Sequence, residues 1–157
     1  MPEQLPIVER LQQDLAELRR ELSKDIPKLL EEARAHGDLS ENAEYEATKE
    51  RQGMLHARIA QMERRLGELA RYSRASIPDD KAGYGSCVEV EDLENGNRMV
   101  YELVFPEEAE PSKGHVSVGS PIGQALLGRR EGDEVRVQTP SGRRSLEIIG
   151  ITTIHKR

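Results

Sequence analysis

Three carboxylates, Asp38, Glu41 and Glu44, stand close together in the run His36-Gly37-Asp38-Leu39-Ser40-Glu41-Asn42-Ala43-Glu44-Tyr45. Two uses compete for them. One is capping: Gly37 suits a helix C-terminus that needs positive φ, and Asp38-Leu39-Ser40-Glu41 fits an N-cap followed by an acid at the third helical position. The other is chemistry at an exposed acidic site. Capping leaves three features without a reason: the third carboxylate of Glu44, the apolar Leu39 where no core is expected, and a location far from the second half of the chain.

Two long helical patterns flank this run. Upstream the apolar positions are Leu11, Leu15, Leu18, Leu22, Ile26, Leu29 and Ala33; downstream they are Tyr45, Thr48, Leu55, Ile59, Met62, Leu66 and Leu69, with Gln52 interrupting. Steps of three and four mark a coiled-coil seam. The position numbers of Leu15 and Leu66, Leu22 and Ile59, Ile26 and Leu55, and Ala33 and Thr48 each sum to 81, as they must if the chain folds back between Ser40 and Glu41. Arms of about 30 residues at about 1.5 Å each would carry the acidic run roughly 45 Å from the hairpin base. The first helix is expected to start near Pro6, with a kink or stutter where Pro27 removes a backbone donor.

Arg51, Arg58 and Arg65 recur every seven residues as a basic stripe, with Lys49 near its tip end. Pairing with acids of the first helix and facing phosphate are both open readings of that stripe. Other outward positions, Arg34 among them, read as a solvated face.

The composition changes near Ala75, which predicts two domains, 1–76 and 77–157. They carry 13 basic and 15 acidic, and 10 basic and 14 acidic residues, net −2 and −4, so neither is an indiscriminate nucleic-acid binder. A single cysteine, Cys87, excludes an internal disulfide, and the four histidines lack zinc-ligand spacing. No segment approaches membrane-spanning length, which predicts a soluble cytoplasmic protein with no membrane partner.

Beyond a linker at Ser73 to Gly85, Cys87 to Glu91 alternates as a strand, Glu94-Asn95-Gly96-Asn97 is a hairpin turn and Met99 to Val104 returns. After an acidic loop, His115 to Val118 reads as a strand. Ser120 then caps a short helix with Pro121 at its first position and Gly128 at its end. Val135 to Val137 and Leu146 to Ile154 read as the last strands. The expected class is α+β: an antiparallel helical coiled-coil hairpin, then a small antiparallel sheet packed on one helix.

With the run Asp38 to Tyr45 on a hairpin tip, Ser120-Pro121-Ile122, and Gly132-Asp133-Glu134-Val135 in a small β domain, the sequence resembles the Gre family of bacterial transcript cleavage (elongation) factors over essentially its whole length. The resemblance implies an FKBP-like second domain docked at the rim of the secondary channel of bacterial RNA polymerase, with the hairpin inserted so that its tip reaches the nascent RNA 3′ end. It also implies that Asp38 and Glu41 are the catalytic pair helping to bind Mg²⁺, with Leu39, Asn42, Glu44 and Tyr45 as neighbouring tip positions. Lys49, Arg51 and Arg58 become the RNA-facing candidates, and Ser120, Pro121 and Ile122 the docking segment. The implied protein is a monomer that serves as a cofactor of the polymerase's own RNA cleavage and is not itself an enzyme. Pro27 falls a few residues nearer the tip than in the family, and Gly119 precedes the docking segment in place of a polar side chain.

Two carboxylates cannot fill the near-octahedral shell of Mg²⁺, so the isolated tip is expected to be a poor metal site until a partner supplies further ligands. Two rivals remain. A non-catalytic regulator or inhibitor plugging the same channel would not need the acidic pair. A peptidyl-prolyl isomerase would need an aromatic-lined pocket, for which the second domain offers only Tyr84, Tyr101 and Phe105.

Overall fold

The protein is described by a computed structural model covering residues 4–36 and 39–157, with the backbone alone of residues 36 and 39–41. The chain divides into two compact units, one spanning Gln4–Tyr72 and the other containing Ser73–Arg157.

The first unit is the helical hairpin. Its first arm comprises α1 (Pro6–Arg20), one π-helical turn (Glu21–Asp25) and α2 (Ile26–His36); its second is α3 (Leu39–Leu69). Pro6 opens α1 at the position where its missing N–H costs nothing. With 31 residues, α3 is about 46 Å long. Its inward positions Tyr45, Thr48, Gln52, Leu55, Ile59, Met62, Leu66 and Leu69 are all buried or half-buried, an unbroken alternation of three and four. Two cross-arm contacts, Arg19 with Glu63 and Arg34 with Tyr45, fall within two of the expected constant sum and fix the antiparallel register.

Near Pro27 the irregularity is a π-helical turn, in which the Ile26 N–H donates to the Glu21 carbonyl five residues back. Proline supplies no N–H and its ring crowds the carbonyl four residues earlier, and a wider turn just ahead of it accommodates both. The extra residue moves the seam by one. A strict continuation from Leu22 would bury positions 25, 29 and 32; instead Ile26 and Ala33 are buried and Leu30 half-buried. Leu29, expected in the seam, is therefore turned out, at 48% exposed.

The second unit is built on a five-stranded sheet in the order β3-β2-β1-β5-β4. Its strands are β1 (Cys87–Asp92), β2 (Arg98–Val104), β3 (His115–Ser117), β4 (Glu134–Thr139) and β5 (Gly142–Thr152), with the short helix α4 (Pro121–Leu126) between β3 and β4. Gly96, at φ +75°, makes the β1–β2 turn, where the Asp92 N–H donates to the Asn97 carbonyl and the Gly96 N–H to that of Asp92. Val88, Val90, Leu103, Val135, Leu146 and Ile148 form the core with Leu126 of α4.

The sheet departs from the sequence reading in its pairing and in its last strand, which also ends at Thr152 and not at the expected Ile154. It is not wholly antiparallel: β3 pairs with β2 in parallel, because the connection through turns at Pro106–Glu108 and Pro111–Lys113 carries the chain back before β3 begins. And β5 starts at Gly142, four residues before the expected Leu146, since Arg143, Arg144 and Ser145 pair with Gln138, Val137 and Arg136. Their polar side chains hid a strand.

The seam carries a stability prediction. Leu55 is 1% exposed, whereas Leu22 within the π turn is half-buried. Leu55→Ala should cost about 2 to 5 kcal/mol and Leu22→Ala clearly less. Thermal melts of the two variants check the order; equal losses would contradict this reading of the seam.

Candidate functional site

At the end of the hairpin, α2 stops at His36 and α3 starts at Leu39, so the acidic run begins between the arms and continues into α3. Asp38, and the side chains of Leu39 and Glu41, lie outside the described residues, as do the capping roles read for Gly37 and Asp38. Asn42 and Glu44 are exposed and Tyr45 is half-buried. The Glu44 carbonyl accepts a hydrogen bond from Thr48 Oγ1 at 2.8 Å, one turn on, while the Glu44 carboxylate faces water. Among the described residues no group of three or more His, Cys, Asp or Glu side chains converges as a metal site.

The basic stripe divides into two kinds of residue. Arg51 donates from Nε and Nη2 to the two Glu21 carboxylate oxygens at 2.8 and 2.9 Å. That fork holds the Glu21 carboxyl below its ordinary range, through the hydrogen bonds first and the charge second. The pair falls nine short of the register sum, so the two side chains run along the hairpin. Arg58 Nη1 donates to Gln61 Oε1 at 3.0 Å and Lys49 Nζ to Gln52 Oε1 at 3.3 Å, both neutral acceptors on the same helix. Arg65 pairs with Glu68 at 3.0 Å.

Arg34, read from sequence as part of a solvated face, makes the cross-arm contact with Tyr45: Nη2 donates to the Tyr45 hydroxyl at 3.3 Å, and Cζ lies 5.6 Å from the ring centroid. The hydrogen bond and the adjacent charge lower the Tyr45 phenol pKa. The register sum was the signal available in the sequence, since it places position 34 opposite position 47, within reach of Tyr45.

In the second unit, Ser120 Oγ accepts from the Gly123 N–H at 3.1 Å and donates to the Ser117 carbonyl at 2.7 Å. Its hydroxyl is thus spent on building the corner. Ile122 packs half-buried against the core, which leaves Pro121 as the exposed member of the three. A Cβ at Gly123 would collide with the Ser117 carbonyl oxygen, so only glycine lets α4 approach β3 this closely. Gln124 Nε2 donates to the Val118 carbonyl at 2.8 Å and further fixes the corner.

The remaining candidates of this unit serve packing. Tyr84 and Phe105 stack at 4.4 Å between centroids and are 8% and 3% exposed. A cleft of about 510 Å³ lined by Ala75, Ser76, Ile77, Pro78, Asp79, Lys81 and His155 has no Phe, Tyr or Trp in its wall. Burial pushes the Cys87 thiol pKa up, the opposite of an activated nucleophile.

A long antiparallel arm with an acidic run at its end, followed by a small mixed sheet with a rigid helix-start corner, defines the class of protein. The family described as "Transcription elongation factor, N-terminal" matches residues 7–70, and that described as "Transcription elongation factor, GreA/GreB, C-term" matches residues 77–153. The chain is 46% identical to transcription elongation factor GreA of Syntrophobacter fumaroxidans over 143 residues, 91% of this chain and 92% of that one. It is 42% identical to GreA of Neisseria meningitidis serogroup B over 93% of each. Among solved structures it is similar to the GreA factor homolog 1 protein of Thermus thermophilus, at 34% identity over 92% of this chain and 93% of that one, with a TM-score of 0.42. The chain belongs to the GreA/GreB family of transcription elongation factors. No helix among the described residues is long and apolar enough to cross a membrane.

The corner at Ser120 yields a prediction. Gly123→Ala should destabilise the protein by about 1 to 3 kcal/mol, the usual range for overpacking. Urea denaturation measures it, and an unchanged midpoint would contradict the close approach.

Proposed function

We propose that this protein is a transcript cleavage factor that inserts its hairpin into the secondary channel of RNA polymerase and stimulates endonucleolytic cleavage of the RNA 3′ end in backtracked complexes. One observation carries the reading: family matches cover both units, at 7–70 and 77–153, and the run Asp38 to Tyr45 stands where the arms of the first unit meet. A helix about 46 Å long gives that run reach.

Asp38 and Glu41 would hold Mg²⁺. Carboxylate oxygens suit this hard cation, and two of them leave most of its shell to water, RNA phosphate and the polymerase's own carboxylates. The chemistry such an ion would supply is Lewis-acid polarisation of a phosphoryl oxygen and activation of water, with Asp38 and Glu41 as its ligands from this chain. The chain's own part is positional: the arm delivers two acceptor pairs and the exposed Glu44 carboxylate to a site that already contains the substrate. The active enzyme is then the complex, with this chain as its cofactor.

Lys49 and Arg58, whose hydrogen-bond acceptors are neutral glutamines, are the better candidates for phosphate contact. Arg51 is already committed to Glu21. In the second unit the exposed Pro121, on a corner stiffened by the Ser120 cap, is the docking candidate.

Asp38→Asn and Glu41→Gln test this reading. Asn caps a helix about as well as Asp, so Asp38→Asn should change stability by no more than a few tenths of a kcal/mol. Both should leave polymerase binding intact while slowing RNA cleavage at saturating protein by about tenfold or more, as losses around metal ligands do. Raising Mg²⁺ should restore part of the rate by mass action. Native cleavage rates from both variants would overturn the catalytic assignment.

A further inference from the structure

Among the described residues, the distal part of the hairpin seam pairs small or polar side chains with one aromatic ring. The most distal inward positions among the described residues are Ala33 on α2 and Thr48 and Tyr45 on α3. Helix ends with few apolar contacts open locally at little cost. Yet the two residues assigned to chemistry, Asp38 and Glu41, lie between these positions in the sequence, and small displacements of catalytic groups are expensive in rate.

Arg34 and Tyr45 bridge the arms at this level. The Arg34 guanidinium donates to the Tyr45 hydroxyl at 3.3 Å and lies over the ring at 5.6 Å, so it engages both the polar tip and the π face. A planar guanidinium can do both at once where an ammonium cannot. Along the chain Arg34 precedes Asp38 by four residues, and Tyr45 follows Glu41 by four, one turn within α3. Each member of the bridge thus stands four residues along the chain from one carboxylate.

We infer that the Arg34–Tyr45 bridge is a positioning clasp that holds the two arms at a fixed separation behind Asp38 and Glu41, a role that rests on the cleavage reading. Neither residue touches the reacting atoms. The clasp acts by restricting where the carboxylates can go, so its loss slows chemistry and leaves docking alone.

The test uses the full chain with stalled, backtracked polymerase complexes. Arg34→Ala and Tyr45→Leu should each lower the cleavage rate at saturating protein by about tenfold. The protein concentration giving half-maximal effect should stay within about twofold, because docking surfaces are untouched. Tyr45→Phe, which keeps the ring, and Arg34→Lys, which keeps the charge, should each recover part of the rate. The double variant should be no slower than the slower single, as for two residues acting as one unit.

A native rate from Arg34→Ala, losses that multiply in the double variant, or losses tracked by the half-maximal concentration or the melting temperature would overturn the clasp. If the native protein fails to stimulate cleavage, the cleavage reading fails instead, and hydrogen exchange on the free chain decides the clasp. Amides of residues 43–48 should exchange faster in Arg34→Ala than in the native protein; equal rates would overturn it.

Discussion

Everything in the first unit depends on a seam only two helices thick staying in register along its length. A two-helix layer has no third element to trap a slipped residue, so each inward side chain must meet its partner from the base to the tip. Downstream the requirement is met by strict spacing, with Leu55, Met62 and Leu69 buried in one line. Upstream Pro27 breaks the ladder, and a single π turn absorbs the defect by adding one residue. Because the register shift is taken up there, Ile26 and Ala33 still reach the seam and the arms still meet at the acidic run.

The second unit is held together differently, by a sheet core and a tight helix-to-strand corner. Its core pairs the inner face of the sheet with Leu126 of α4, and the Ser120 hydroxyl closes the corner by both accepting and donating. Glycine at position 123 lets helix and strand come together. The result is a stiff helix start whose exposed residue is a proline, itself conformationally fixed. A long arm and a firm corner are therefore built by separate physics, seam packing in one unit and tight cornering in the other.

Periodicity made the seam legible because burial imposes it on every turn of α3, including the polar Gln52 and Thr48 that sit inward without being apolar. The step from Leu22 to Ile26 and Pro27 signalled the stutter, but the reading failed one turn on at Leu29, where Leu30 takes the inward place. Capping chemistry located the start of α4 to the residue, since Ser120 and Pro121 each answer a specific backbone need, whereas the helix ends at Leu126, two residues before the expected Gly128. The parallel pairing of β3 was not legible: three residues cannot reveal which neighbour they join. Arg143 and Arg144 concealed the start of β5 because a strand with a polar outer face looks like a loop. At the candidate site the carboxylates were readable as a motif, whereas the bridge between Arg34 and Tyr45 emerges only when the arms are folded together.

The central claim is that this chain converts a stalled polymerase into an RNA-cleaving one, and does not merely occupy it. Backtracked complexes carrying 3′-labelled RNA, incubated with and without the protein at constant Mg²⁺, test that claim most directly. Release of a labelled 3′ fragment, followed by renewed extension of the shortened RNA on adding nucleotides, is the predicted result. Intact RNA in complexes that have bound the protein and remain stalled would contradict it.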